Sequence, residues 1–258
     1  MEWLIALFKP GHALGLLAYS PPGWGGALLE GLLNTMKVAI GAYIFGTAIG
    51  IFGAFGKLYG GQVVRDILGI YTTVVRSIPE LILILILFYL VPEAASRILL
   101  GMGYSRIDLP PIIVGTIVLG FVLGAYMTEV LRGAILAVPY GEIEAAVAYG
   151  MTSLQVARRV TLPQMLGFAL PGMANLWLNL TKDTALLAVI GFNELTQISL
   201  QAGGATKAFM LFFTAAGVLY MIISVLSGRL FALAERWARR GQPGIPGGAV
   251  RQRWSCPG

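Results

Sequence analysis

Four stretches of this chain, 38–56, 112–128, 164–181 and 208–228, contain no Asp, Glu, Lys or Arg, and a fifth, 67–92, is interrupted only by Arg76 and Glu80. Crossing a hydrocarbon layer about 30 Å thick takes roughly 20 apolar residues of helix. Backbone groups in lipid need partners within their own segment, so isolated runs of this kind must be helical. A membrane barrel would alternate apolar and polar residues, which these runs do not. The sequence therefore predicts an all-α membrane protein with five transmembrane helices. Only 12% of its residues are charged, about half the share of a soluble domain.

The basic residues set an orientation, because Lys and Arg concentrate on the cytoplasmic side. Five spans put the two ends on opposite sides. Arg229, Arg236, Arg239, Arg240, Arg251 and Arg253 crowd the C-terminal end, which predicts a cytoplasmic C-terminus and an external N-terminus. Lys57, Arg65, Arg158 and Arg159 then fall inside, and Arg97, Arg106 and Lys207 outside. The net charge of +6 thus reflects topology. It forms no single patch suited to nucleic acid. Residues 1–26 read as an interfacial or periplasmic leader, 27–238 as the transmembrane domain with a cytoplasmic loop at 139–163, and 239–258, rich in Gly, Pro and Arg, as a disordered cytoplasmic tail.

Within the spans, Gly46, Gly50 and Gly53 give the first helix a small-residue face, as do Gly120, Gly124 and Thr128 in the third. Proline disfavours helix at the residue before it, so Ile78-Pro79 predicts a kink in the second. The fourth element runs from Leu162-Pro163 to about Asn193, and the fifth from about Lys207 to Arg236. His12 is the only histidine and Cys256 the only cysteine, which argues against a metal site, a disulfide framework or a Ser/His dyad. The only Gly-Lys pair, Gly56-Lys57, precedes Leu58 and makes no phosphate-binding loop. No catalytic residue and no cofactor site is expected in this chain.

The loop at 139–163 carries Glu144-Ala145-Ala146, then Gly150, Val160, Leu162 and Pro163. This pattern resembles the E-A-A-x3-G-x9-I-x-L-P loop of binding-protein-dependent ABC importers, with Val160 in the isoleucine place. Ile143, Val147, Met151 and Leu154 recur at helical spacing and predict an apolar stripe that must be buried on something. A helix lying on lipid is the alternative. Ala125-Tyr126-Met127-Thr128-Glu129, Arg132-Gly133, Val138-Pro139, Tyr71-Thr72-Thr73, Arg76-Ser77-Ile78-Pro79 and Thr181-Lys182-Asp183-Thr184-Ala185-Leu186 are similar to the polar amino acid permeases. Among these, the resemblance is to the paired permeases of histidine/lysine/arginine/ornithine and opine importers.

That resemblance implies the type I importer permease fold, with the loop as a coupling helix docked on a cytoplasmic ABC ATPase subunit. ATP and Mg would be bound by that partner. It also implies a sister permease (a heterodimer more than a homodimer), a periplasmic amino-acid-binding protein, a polar amino acid or opine as substrate, and a bacterial inner membrane location.

Ionisable groups inside spans are costly and mark pathways or buried pairs. Asn175, Asn179, Lys182 and Asp183 fall at i, i+4, i+7 and i+8, one helix face. With Thr184 and Glu80 they are the expected substrate pathway; packing against other helices is the alternative. Glu129 and Arg132, at i, i+3, predict a structural ion pair, as do Arg76 and Glu80. Glu194 reads as a solvated carboxylate at a span end. An ion-coupled secondary transporter fits the composition as well and would make the loop pattern accidental. An intramembrane enzyme lacks a nucleophile and base.

Overall fold

A computed structural model describes residues 13–105 and 108–238, and these are helical throughout, joined by turns. His12, Arg106, Cys256, most of the leader and the tail lie outside the described residues. The principal helices are α1 (Gly25–Tyr59), α2 (Gln62–Ser77), α3 (Glu80–Gly101), α4 (Pro111–Leu136), α5 (Tyr140–Ala148), α6 (Leu162–Asp183), α7 (Leu195–Thr206) and α8 (Phe209–Ala238).

Four of them, α1, α3, α4 and α8, are long and apolar enough to cross a membrane. The expected fourth span, α6, has 22 residues but falls outside that set. Its polar face, Asn175, Asn179, Lys182 and Asp183, dilutes its apolar side.

The centre of the fold is the packing of α1 on α4, and glycine makes it possible. A Cβ on Gly46 would stand 2.7 Å from the Gly120 carbonyl oxygen, one on Gly50 2.4 Å from Met127 Cγ, and one on Gly53 2.2 Å from Thr128 Oγ1. The two small-residue faces expected from sequence are therefore one interface, each the floor for the other. Around it α3, α4 and α6 close a core that includes Val38, Ile84, Leu119, Leu123, Met127 and Leu180. A second, smaller core joins the start of α1 to α7 and α8 through Leu28, Leu195, Ala202, Phe212 and Ala216. Along α8 only Phe212, Ala216, Ile223 and Ser227 are buried, so most of its apolar surface faces outward.

Three expectations change. The kink at Ile78-Pro79 is a full break: Ile78 leaves the helix at ψ 138° and α3 restarts at Glu80, because Pro79 supplies no amide hydrogen. Pro92, by contrast, sits inside a continuous α3. The fourth element does not run to Asn193. It tightens at Thr184 into a 3-10 segment, Thr184–Ile190, closed by Gly191 at φ 78°.

Glu194 is not solvated either: it is wholly buried and caps α7. Its Oε1 accepts the Gln197 amide at 2.8 Å, and its Oε2 accepts the Tyr220 hydroxyl at 2.8 Å and that of Thr35 at 3.4 Å. One carboxylate thus fastens α1, α7 and α8 together.

Candidate functional site

Two regions carry the residues singled out from sequence. The first lies where α3, α4 and α6 meet. The break at Ile78-Pro79 starts α3 at Glu80, which turns that carboxylate towards the middle of α4 and the end of α6. Glu80, Asn179, Asp183 and Tyr126 line one pocket there, walled by Ile84, Leu119, Leu123 and Leu176. Two carboxylates in a largely apolar pocket make it a site for a positive charge or an amine.

Tyr126 interacts with Glu80, and the guanidinium of Arg76 stands 5.7 Å over its ring, within cation–π range. Arg76 therefore does not pair with Glu80 as expected; it spends its charge on the aromatic face beside it. Tyr126 was not among the expected site residues. The signal for it was weak, since an aromatic residue two positions after Gly124 in an apolar run reads as packing.

The remaining members of the polar face divide. Asn175, Asn179 and Lys182 are exposed on the isolated chain, Asp183 is half-buried, and Leu176 and Leu180 beside it, with Trp177 further round, enter the core. Thr184 belongs elsewhere: it is fully buried and donates to the Thr181 carbonyl at 2.7 Å. One residue past Asp183, the ordinary helical step of about 100° already places it off that face.

A little further along α4, Glu129 is the hub of a charge cluster. Arg132 reaches its Oε2 at 3.0 Å, as expected, and Lys57 from the end of α1 reaches its Oε1 at 2.6 Å. Lys57 also donates to Thr72 Oγ1 at 2.6 Å. The cluster ties α1, α2 and α4 and carries two cations on one carboxylate.

The second region is the loop 139–163, where the Glu144 pattern acquires a physical cause. Helix α5 ends in a paired closure: the Met151 amide donates to the Ala146 carbonyl at 3.2 Å and the Gly150 amide to Val147 at 2.9 Å. That closure needs a left-handed residue in the Gly150 position, and Gly150 sits at φ 79° with nothing near its missing Cβ. Ala146 is buried and packs α5 down, while Glu144 and Ala145 stay exposed. The expected continuous stripe is consequently broken. Ile143 and Val147 lie on α5, Leu154 on a separate turn, Ser153–Val156, and Val147 and Leu154 are 58% and 68% exposed.

From there the chain makes a wide π-type turn, Ala157–Thr161, in which the Leu162 amide donates to the Ala157 carbonyl. Pro163, just beyond, cannot donate, and its ring disfavours an α-helical carbonyl four residues back, which accounts for the wider turn. Leu162 and Pro163 are exposed. A hydrogen bond from Gln164 to Glu142 ties α5 back to the start of α6.

The chain is similar to known proteins over most of its length. Residues 46–240 match the model of the family described as binding-protein-dependent transport system inner membrane component. The histidine/lysine/arginine/ornithine transport system permease protein HisQ of Escherichia coli (strain K12) is 39% identical over 214 residues, 83% of this chain and 94% of the relative. The nopaline transport system permease protein NocQ of Agrobacterium fabrum is 40% identical over 230 residues, 88% and 98% of the two chains. Among solved structures, an amino acid ABC transporter with histidines superimposes with a TM-score of 0.70 at 26% identity, over 83% of this chain and 95% of the other. The inward-facing MetNI methionine ABC transporter shares the fold, with a TM-score of 0.67 at 22% identity over 85% and 99%. By these matches, and by the helical architecture and loop just described, the chain belongs to the inner membrane components of binding-protein-dependent transport systems, the permease subunits of type I ABC importers.

Proposed function

We propose that this permease passes polar amino acids of the basic or opine class into the bacterial cytoplasm, driven by ATP hydrolysis in a separate ABC ATPase that binds the ATP and Mg. The observation that carries the substrate class is the pocket in which Glu80 and Asp183 stand together beside Asn179 and Tyr126. The acids suit a cationic or amino group, Lys182 at its edge suits a carboxylate, and Asn175 and Asn179 supply both donors and acceptors. The substrates named for the relatives fall in the same class. The exposure of Asn175, Asn179 and Lys182 on the single chain supports a second permease, a sister more than a copy, closing the pathway from the other side.

In this reading α1, α3, α4, α6 and α8 are the five spans, α6 being admitted because its polar strip faces that pathway. The N-terminus is external and the C-terminal tail, 239–258, cytoplasmic, with residues 1–26 at the outer interface. Helix α5, with Glu144, Ala145, Ala146 and Gly150, then forms the docking element for the ATPase, and Leu162-Pro163 make the turn that joins it to α6. A periplasmic binding protein delivers the substrate from outside.

The test is reconstitution in liposomes with the ATPase and binding protein, following labelled arginine with and without ATP on the ATPase side. ATP-dependent uptake is expected. Uptake driven by a proton or sodium gradient with the permease alone would establish secondary transport instead.

A further inference from the structure

Arg158 and Arg159 follow each other in the wide turn that leads into α6, and both line one open groove with Leu154 and Gln155. No acidic residue contributes to that groove. Both side chains are exposed, and among the described residues neither guanidinium has an ion pair or hydrogen bond. Lys57 and Arg132 behave differently: both are ion-paired to Glu129. The groove is thus a doubly positive site without an internal counterion.

What lies below it distinguishes the ligands that could supply one. Leu162 and Leu166 follow Arg158 at steps of four, on one side of the helix, and are 41% and 39% exposed. The stripe therefore runs from a paired guanidinium site to an apolar wall within about 12 Å along the axis. A carboxylate on a protein partner would meet the arginines and leave that wall uncovered. A phospholipid matches both halves, with its phosphate on the fork-shaped donors and an acyl chain along Leu162 and Leu166.

We propose that Arg158 and Arg159 form a binding site for an anionic phospholipid headgroup at the root of the loop. It rests on α6 crossing the bilayer, as read above. The lipid would anchor the turn between α5 and α6 to the membrane surface, giving the loop a fixed point against which to move.

The complete complex, in nanodiscs of phosphatidylcholine containing a minor fraction of spin-labelled phosphatidylglycerol or spin-labelled phosphatidylcholine, provides the test. The immobilised fraction of each label reports retained lipid. Wild type is expected to favour phosphatidylglycerol, and the preference to fall with added salt. Each basic residue at an anionic surface contributes roughly fivefold, so the double variant Arg158→Gln/Arg159→Gln should lose roughly 25-fold while ATPase stoichiometry holds. Arg229→Gln, at an exposed position on α8, should change the preference little.

Equal loss in Arg229→Gln would show a diffuse charge effect and overturn a local site. So would an unchanged preference in the double variant, or loss of the ATPase subunit with lipid preference intact, which would assign the arginines to the protein interface. Leu166→Cys in a Cys256→Ser background should resist a water-soluble maleimide. Free labelling there would overturn the reading of α6 itself, and the lipid site with it.

Discussion

The α1–α4 contact can be tested by trying one substitution in it and in two other surroundings. In a helix, Gly→Ala gains about 1 kcal/mol of backbone propensity, so the outcome depends on what the new methyl meets. At Gly46 it meets the Gly120 carbonyl oxygen at 2.7 Å and Leu123 Cβ at 2.9 Å. Neither can swing aside, so the two helices must separate locally. Overpacking of that kind costs about 1–3 kcal/mol, and the rigid neighbours put Gly46→Ala at the upper end, a net loss of about 2 kcal/mol.

At Gly56 the nominal overlap is as severe, 2.5 Å, but with Leu68 Cδ1, the end of a flexible side chain, and the next atom is 3.4 Å away. There the rotamer change and the propensity gain nearly cancel, and stability should stay within about 0.5 kcal/mol of wild type. Gly217, with nothing within 4 Å, should gain up to about 1 kcal/mol. Unfolding of the reconstituted protein, followed by circular dichroism against temperature or denaturing detergent, gives the order directly. If Gly46→Ala is as stable as Gly56→Ala, close backbone approach is not what holds α1 to α4.

Other sites make separate demands. Gly150→Ala forces an L residue to φ 79°, opening the closure of α5 at a cost of about 1 kcal/mol; ATP hydrolysis should become uncoupled from uptake while thermal stability falls by no more than that local cost. Glu194→Ala strips the acceptor from the Gln197 amide and the Tyr220 and Thr35 hydroxyls, and a loss of about 3 kcal/mol or more in thermal unfolding is expected. Replacing Lys57 alone with Met leaves Glu129 with Arg132 and should be mild. Replacing both cations isolates the carboxylate, and adding Glu129→Gln should restore much of the lost folding yield. Asn179→Ala and Asp183→Asn should lower transport per assembled complex; normal rates in both would remove that face from the pathway.

Much of this was legible from one dimension. Uncharged runs and glycine rows depend on spacing alone, and Gly150 stands where a helix closure needs it. What stayed hidden depends on partners distant in the chain. Glu194 looks solvated until Thr35, 159 residues earlier, and Tyr220 fold over it. Lys57 looks like a topology signal until α4 brings Glu129 to it. Thr184 is adjacent to Lys182 and Asp183 in sequence but lies about 100° round the helix from Asp183, where it is buried against Thr181. Tyr126 enters the pocket only because the break before Glu80 aims α3 at it.

The polar strip of α6 also bears on how the chain is made. As each helix leaves the ribosome it is sorted by its own apolarity, and α1, α3, α4 and α8 pass that test unaided. Helix α6 does not. Asn175 and Asn179 lie within it and Lys182 and Asp183 end it, so in the five-span reading α6 crosses only if something already in the membrane receives its polar side. Helix α4 is made earlier and packs against it, while α8, strongly apolar, arrives later and can draw the preceding segment across. On that reading, biogenesis of this permease is sequential in a strict sense: the helix with the polar strip is admitted last, on the credentials of its neighbours.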